Sequence, residues 1–489
     1  MARPGPGSSV GPSHADERRA TASRRRLGEE RLDVGRGAAP KAAFPRGVGG
    51  QVKRGTRASG PDAGGLRPRQ HRPREEDRSG SREVSDAGGL PPRQRRAFSV
   101  MRGAIETEGP AEVCHELAAL FEVDPRLERD LTHGFHGYAG RMHPQVARGV
   151  LARWSASGDH VLDPFCGGGT VLVEAMAAGR VAQGIDASPL AVRLARVRTS
   201  VLGTAARVRL MESAREIAEE SAARARRRVP VEIPPWARHE TMRFSPHVAL
   251  ELLGLRELVM DLPEDGVGRA LRLCLSSILV KFMRAGPQAA PDAAEKRIGR
   301  GLPSRHFADR AAELALGLEA LETRMPFGTP LPDVKIGDAR ALPLPPRTRF
   351  DLVLTSPPYA GVYDYAELHD VRFTWLGLSR AELRATQIGA RTRGTGGVVA
   401  RPWTEARRQW LASLARVLRP GGHAVLVVGD GVVGGRPEDA AYEIARAARA
   451  LGLVPAARAS QARPPREAAL AEIFAGTPRR EHLLLLERR

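Results

Sequence analysis

The sequence predicts an α/β protein: a doubly wound, mostly parallel sheet of seven strands, split by a helical insertion and preceded by a disordered tail. Three observations carry this expectation. Short apolar runs of strand length alternate with helical segments on both sides of a central break. Two of the runs end in stiff or glycine-rich turns, Asp163-Pro164-Phe165-Cys166-Gly167-Gly168-Gly169-Thr170 and Thr355-Ser356-Pro357-Pro358-Tyr359. Parallel α/β sheets bind ligands at such places, just beyond the carboxyl ends of strands. The break itself, residues 201–332, is mostly helical in pattern, and residues 1–102 have no apolar period at all.

Four stretches follow: a tail (1–102), a first sheet segment (103–200), the insertion (201–332) and a second sheet segment (333–489). The tail is rich in Arg, Gly, Pro and Ser and cannot bury enough surface to offset its ordering entropy, so it is expected to be disordered. Within it Pro61–Gln70 is echoed by Ser85–Gln94, a repeat too short and polar for a solenoid. Either the tail tethers the protein to a polyanion or it is a passenger, translated from upstream of a start at Met101.

The chain has 489 residues, 42% of them hydrophobic, a net charge of +20 and a pI near 11.0. More than half of that charge lies in the first hundred residues, and arginine supplies nearly all of it. A nucleic-acid partner and a compositional bias both account for such a balance. No run of about 18 apolar residues occurs and no apolar signal segment opens the chain, so the expectation is a cytoplasmic protein without a membrane span. Cys114, Cys166 and Cys274 are scattered without metal-ligand spacing, which fits a reducing compartment and argues against structural zinc.

Taken in order, Glu112–Phe121 reads as the first ordered element, a helix. A loop dense in Gly, His and aromatics follows (His133–His143), and Pro144 opens a helix toward Trp154. His133, His136 and His143 lack zinc-like spacing and an accompanying carboxylate, so no metal site is expected. The strands are His160–Leu162, Val181–Ile185, Val334–Ile336, Phe350–Leu354, His423–Val428, Val454–Ala459 and Glu481–Leu486. In the insertion, helices are expected over 205–228, 246–260, 269–282 and 307–323. The loop Arg297–His306 is basic, as is Arg391–Gly397. For the first, contact with phosphate and simple solvation remain equal readings.

The strand tips carry the chemistry. Gly167 to Gly169 let the backbone turn tightly and approach a ligand, and Thr170 starts a helix. Asp186 ends the second strand about 20 residues later, where a carboxylate accepts hydrogen bonds from a ribose. There is no Gly-Lys-Ser/Thr, the turn starts with Asp-Pro-Phe rather than with Gly-x-Gly, and Asp163 opposes a phosphate while suiting an ammonium group. A nucleoside joined to an amino acid through a sulfonium matches both ends. Asp338 places another acid at a third strand tip. Two prolines stiffen the fourth and leave acceptors free. The Ser356 hydroxyl and the Pro357 carbonyl suit the two N–H bonds of a planar amino group, with Tyr359 as a platform for its ring. Cys166 reads as packing.

With these residues the chain resembles the class I S-adenosylmethionine-dependent methyltransferases, and among them the exocyclic amino methyltransferases of DNA acting on cytosine N4 or adenine N6. The resemblance covers roughly 133–200 and 333–489. Asp163 to Thr170 looks like the cofactor motif Asp-Pro-Phe-x-Gly-x-Gly-Thr, and Ser356-Pro357-Pro358-Tyr359 like the catalytic motif in its cytosine-N4 form. It implies a Rossmann-like fold and S-adenosylmethionine held by Phe135, Tyr138, Asp163, Phe165, Gly167, Gly169, Thr170, Asp186 and Asp338. It also implies catalysis by Ser356, Pro357, Pro358 and Tyr359, and DNA as partner in a restriction–modification setting. The cofactor motif precedes the catalytic one, unlike the permuted order of many cytosine-N4 enzymes, and only the insertion is available for target recognition. Methylation of an RNA amino group, such as a transfer-RNA guanine, and a non-catalytic nucleic-acid-binding module are the alternative readings.

Overall fold

The computed structural model describes residues 102–227, 233–284, 297–391, 397–465 and 468–489. The expected disordered tail and most of the basic loop Arg391–Gly397 lie outside the described residues.

Eight strands form the main sheet: β1 (Arg102–Glu108), β2 (His160–Asp163), β3 (Val181–Asp186), β4 (Asp333–Ile336), β5 (Phe350–Thr355), β6 (Leu418–Gly429), β9 (Leu453–Ala462) and β10 (Arg480–Arg488). Two short strands, β7 (Gly431–Val433) and β8 (Arg436–Glu438), form a separate hairpin. The order across the sheet is β1-β9-β10-β6-β5-β2-β3-β4. Pairing is parallel from β6 through β5, β2 and β3 to β4. It is antiparallel where β10 meets β6 and β9, and where β1 meets β9. The seven expected strands are all present, and the count is corrected to eight by the edge strand β1. That strand precedes the helix Ala111–Ala119, which the sequence reading took as the first ordered element. Its residues, Arg-Gly-Ala-Ile-Glu-Thr-Glu, have too little apolar alternation to announce a strand, and pairing along β9 defines it.

Period-two alternation sorts the strand residues into two layers. Val161, Leu352, Leu354, Val425, Val427, Leu483 and Leu485 face one way, against the helices Ala111–Ala119, Pro144–Trp154 and Thr170–Ala177. Leu162, Val353, Ala424, Leu426, Val428, Leu484 and Leu486 face the other, against Ala400–Val417 and Ala440–Arg449. Both faces are covered by helices, which is the doubly wound arrangement.

Between β3 and β4 lie the helices Thr204–Arg227, Ala237–Thr241, Pro246–Met260, Gly266–Phe282 and Leu302–Arg324. They build a third core around Leu252, Leu271, Phe282 and Phe307. Helix Pro189–Arg198, capped by Ser188, joins the layers: Val192 and Ala195 face the sheet, while Leu190, Leu194 and Val197 face the helical core. The segment after the catalytic motif is built into that core too, through Ala366, Val371, Phe373 and Trp375. Arg256 donates to the Trp375 carbonyl at 2.8 Å, and Arg243 pairs with Asp370 at 2.5 Å. Among the described residues no helix is long and apolar enough to cross a membrane.

Candidate active site

At the carboxyl ends of β2 and β5 the two motifs meet. Thr355, the last residue of β5, is fully buried, and its hydroxyl donates to Asp163 Oδ1 at 2.6 Å. Asp163 also accepts from the Phe165 backbone N–H at 3.2 Å. Burial drives the Asp163 carboxyl up to about 7.

The chain then turns through Gly167 and Gly169, both in the left-handed region, with φ of +49° and +81°. Gly169 caps the helix Thr170–Ala177, and a Cβ there would lie 2.9 Å from that of Ala195. Asp186, at the tip of β3, braces the turn from the side. Its Oδ2 accepts from the Gly167 N–H and its Oδ1 from the Ser188 N–H, each at 2.8 Å. Burial raises this carboxyl to about 6. Two further lone pairs remain on an ionised carboxylate so engaged, the number a ribose diol uses.

Around this turn lies an open cleft. Its lining includes Tyr138, Asp163, Phe165, Gly167, Thr170, Asp186 and Asp338 on the cofactor side, and Ser356 and Pro358 from the catalytic motif. The ring of Phe165 is held edge-on against Trp410 at 5.8 Å between centroids. Tyr138 stacks on His369, with centroids 4.6 Å apart. Asp338 caps a 3-10 turn and pairs with Arg340 at 2.6 Å. Three acids thus line the cleft against one cation, Arg141, which is already engaged by the Glu128 carboxylate and the His133 carbonyl. Such a donor set fits a nucleoside bearing a cationic amino acid and disfavours phosphates.

Four expected residues fall elsewhere. Phe135 is only 1% exposed and is built into the helical core instead of lining the cleft, because a wholly apolar ring is most stable there. Pro357 is buried beneath the turn. Tyr359 points away from the cleft, as a buried residue whose hydroxyl donates to Glu481 Oε1 at 2.6 Å. It lines a small pocket behind the motif with Trp403, Trp410 and Gly429, so its ring is a strut and not a free platform. Gly169 supports the turn from outside the cleft lining.

The histidines serve separate structural ends. His133 Nε2 pairs with Glu174 at 2.9 Å, and burial lowers its pKa to about 4. His136 contacts the Gly137 carbonyl and Ser276, and His143 caps the helix at Pro144. Among the described residues Asp430, Asp439 and His482 gather ligand-type atoms within 4.8 Å. Asp430 is already committed to His482 and to the N–H groups of Ala440 and Arg480.

Sequence reasoning missed Thr355, Arg198 and Glu481. Arg198 is fully buried and donates to the carbonyls of Gly168, His133 and His136, so it ties the glycine turn to the preceding loop. A lone arginine ending a helix gives no sign of this. The hydroxyl of Thr355, at the end of a strand beside another strand ending in an acid, was a usable signal.

Residues 134–228 match the family described as UPF0020, RMKL-like, methyltransferase domain. The match spans the cofactor-binding turn, Asp186 and the helices that follow. The fold is Rossmann-like, residues 134–228 are similar to a methyltransferase domain, and the cofactor that this similarity implies is S-adenosylmethionine. A curated relative, the Type II methyltransferase M.MjaII of Methanocaldococcus jannaschii, is 42% identical over 66 residues, which is 14% of this chain and 12% of that protein. The chain thus matches a small part of that relative's length. Similar solved structures include TrmN from Thermus thermophilus, 12% identical with a TM-score of 0.28, covering 72% of this chain and 50% of that one. Another is the rRNA methyltransferase aviRa from Streptomyces viridochromogenes, 13% identical with a TM-score of 0.30, covering 75% of this chain and 94% of that one.

Proposed function

We propose that the protein transfers the methyl group of S-adenosylmethionine to an exocyclic amino group of a DNA base, cytosine N4. The observation that carries this reading is the shared cleft: Ser356 and Pro358 line the same space as Asp163, Gly167 and Asp186. The Thr355–Asp163 hydrogen bond supports it by fixing the two strand tips side by side. The local likeness to a Type II methyltransferase favours DNA.

Asp186 would hold the ribose, and the Asp163 region the amino-acid end. When bound, the cofactor supplies an electrophilic methyl on a cationic sulfur. The Ser356 hydroxyl oxygen, which lines the cleft, would accept one amino N–H bond. This would draw the nitrogen lone pair out of conjugation and turn it toward the methyl group that the bound cofactor would supply, and the methylated nitrogen would release one proton to solvent. Fixing the two reactants in line provides much of the rate. In duplex DNA the base must leave the stack first. The helical core that holds the segment after Tyr359 is the element we assign to presenting the target.

The test is transfer from labelled cofactor to DNA and to RNA, followed by nucleoside analysis for N4-methylcytosine. Label found in RNA alone would refute the DNA reading. Ser356→Ala is expected to abolish transfer with cofactor affinity unchanged. Asp186→Ala should weaken cofactor binding by tenfold or more, about 1.4 kcal/mol, as read by calorimetry.

A further inference from the structure

We propose that Gln387 reads the target ring in the cleft: an Nε2 N–H donates to the ring nitrogen beside the amino-bearing carbon, N3 of cytosine, while Ser356 takes the amino group. This rests on the amino-methylation reading above and adds to it the contact that selects the ring.

A free carboxamide can present either end to a ligand, so it selects nothing until its orientation is fixed. In Gln387 both ends are fixed, by partners of opposite character. Oε1 accepts from the Ala366 backbone N–H at 3.3 Å, and Nε2 donates to Asp364 Oδ1 at 3.1 Å. Turning the amide over would set oxygen against carboxylate and N–H against N–H. Asp364 is itself held, because the same oxygen accepts from the Glu367 N–H at 3.1 Å as the cap of helix Tyr365–Leu368. Gln387 closes helix Arg380–Thr386, where its own backbone N–H donates to the Leu383 carbonyl at 2.7 Å. The side chain thus keeps one N–H and one oxygen lone pair in reserve. Gln387 is half-buried and lines the cleft, so these two are left for a ligand.

Gln387 belongs to the end of the cleft that holds Ser356. The Gly361 N–H donates to the Gly389 carbonyl at 3.0 Å, and a Cβ on Gly389 would lie 3.3 Å from that of Pro358. Residues 387–389 therefore run beside the chain that leaves Ser356. Among the described residues lining the cleft Gln387 is the one carboxamide, and the neighbouring Thr386 hydroxyl is engaged by the carbonyls of Glu382 and Leu383. An acceptor at Ser356 and a donor at Gln387 match an amino group beside an unprotonated ring nitrogen, which is the pairing edge of cytosine and of adenine. Thymine and uracil present the reverse pattern. Guanine carries an N–H at N1, where Gln387 offers another.

The test removes the donor and the acceptor in turn. Gln387→Met keeps the length of the side chain without the amide, and 3-deazacytosine, placed for cytosine in mixed-sequence oligonucleotides, lacks the N3 acceptor. On cytosine DNA the variant should raise KM about fivefold to tenfold, with kcat and the calorimetric cofactor affinity within about twofold, because the bond holds the ring equally before and during transfer. On 3-deazacytosine DNA the two proteins should share one KM, since the bond is already missing from both. A merely structural role for Gln387 raises KM on both substrates alike, and that result would overturn the contact. So would a loss of cofactor affinity in the variant, which assigns the amide to the adenine of the cofactor, and so would methylation of guanine. Gln387→Ala carries the same comparison if Gln387→Met fails to fold. Label in RNA alone sinks the DNA reading, and 3-deazacytidine in RNA then decides the contact in the same way. If the wild-type protein methylates neither nucleic acid, binding of the two oligonucleotides is compared with S-adenosylhomocysteine present; equal wild-type affinity for both would overturn the contact.

Discussion

Replacing Asp163 by asparagine tests how the cleft stores charge. The carboxyl is 3% exposed, accepts from Thr355 and the Phe165 N–H, and is raised by burial to about 7 from 3.8. The folded protein therefore holds a proton at pH values where the unfolded chain has released it. This contribution to stability is complete below pH 3.8 and is lost as pH rises through 7. Between pH 5 and 8 the ligand-free protein should lose roughly 2.5 kcal/mol from this group alone. Asparagine keeps both accepted hydrogen bonds and carries no charge at any pH. The variant should therefore show a flatter stability profile and be the more stable protein at pH 8. Urea denaturation of both proteins at half-unit pH steps, without cofactor, measures the difference. Equal slopes would refute the reasoning. Cofactor binding should change the opposite way, with the variant weaker at pH 8, where it lacks the negative charge that faces the amino-acid cation.

Three further substitutions probe the scaffold. Gly169→Ala demands a left-handed alanine whose Cβ crowds Ala195, and should cost about 1–3 kcal/mol in thermal or urea denaturation. Arg198→Met leaves the carbonyls of Gly168, His133 and His136 without their donor. We expect a loss of roughly 3 kcal/mol and weaker cofactor binding, measured by denaturation and calorimetry. Thr355→Val keeps the strand's shape but removes the 2.6 Å bond to Asp163. It should lower kcat several-fold with the denaturation midpoint shifted by only about 1 kcal/mol; an unchanged kcat would argue against coupling between the two strand tips.

Much of this was legible in the sequence because it depends on local chemistry. The glycine turn needs its positive φ values at Gly167 and Gly169, and Asp186 sits at the end of a strand whose apolar residues are plain. Ser356 could be placed at the cleft because the strand Phe350–Thr355 leads straight to it. What escaped depends on which strands become neighbours. Tyr359 reads as a platform from its motif, and what makes it a strut is Glu481, 122 positions away, which sheet order brings beneath it. Phe135 sits in an aromatic loop beside Tyr138, yet one ring enters the core and the other lines the cleft, a choice made by the insertion helices. β1 is identified by its partner β9 more than by its own residues.

The place of β10 bears on how the protein is made. It lies between β6 and β9, both of which precede it in the chain, and it pairs with each along most of its length. Until residues 480–488 have been synthesised, β6 offers a bare strand edge and Leu483 to Leu486 are missing from both faces of the core. Such an edge is a template for wrong pairing. The glycine turn can form early, from residues close in sequence, whereas Tyr359, in the motif of the proposed catalytic serine, gains its Glu481 partner only with the final strand. A nascent chain would thus be able to hold the methyl donor before it is able to use it.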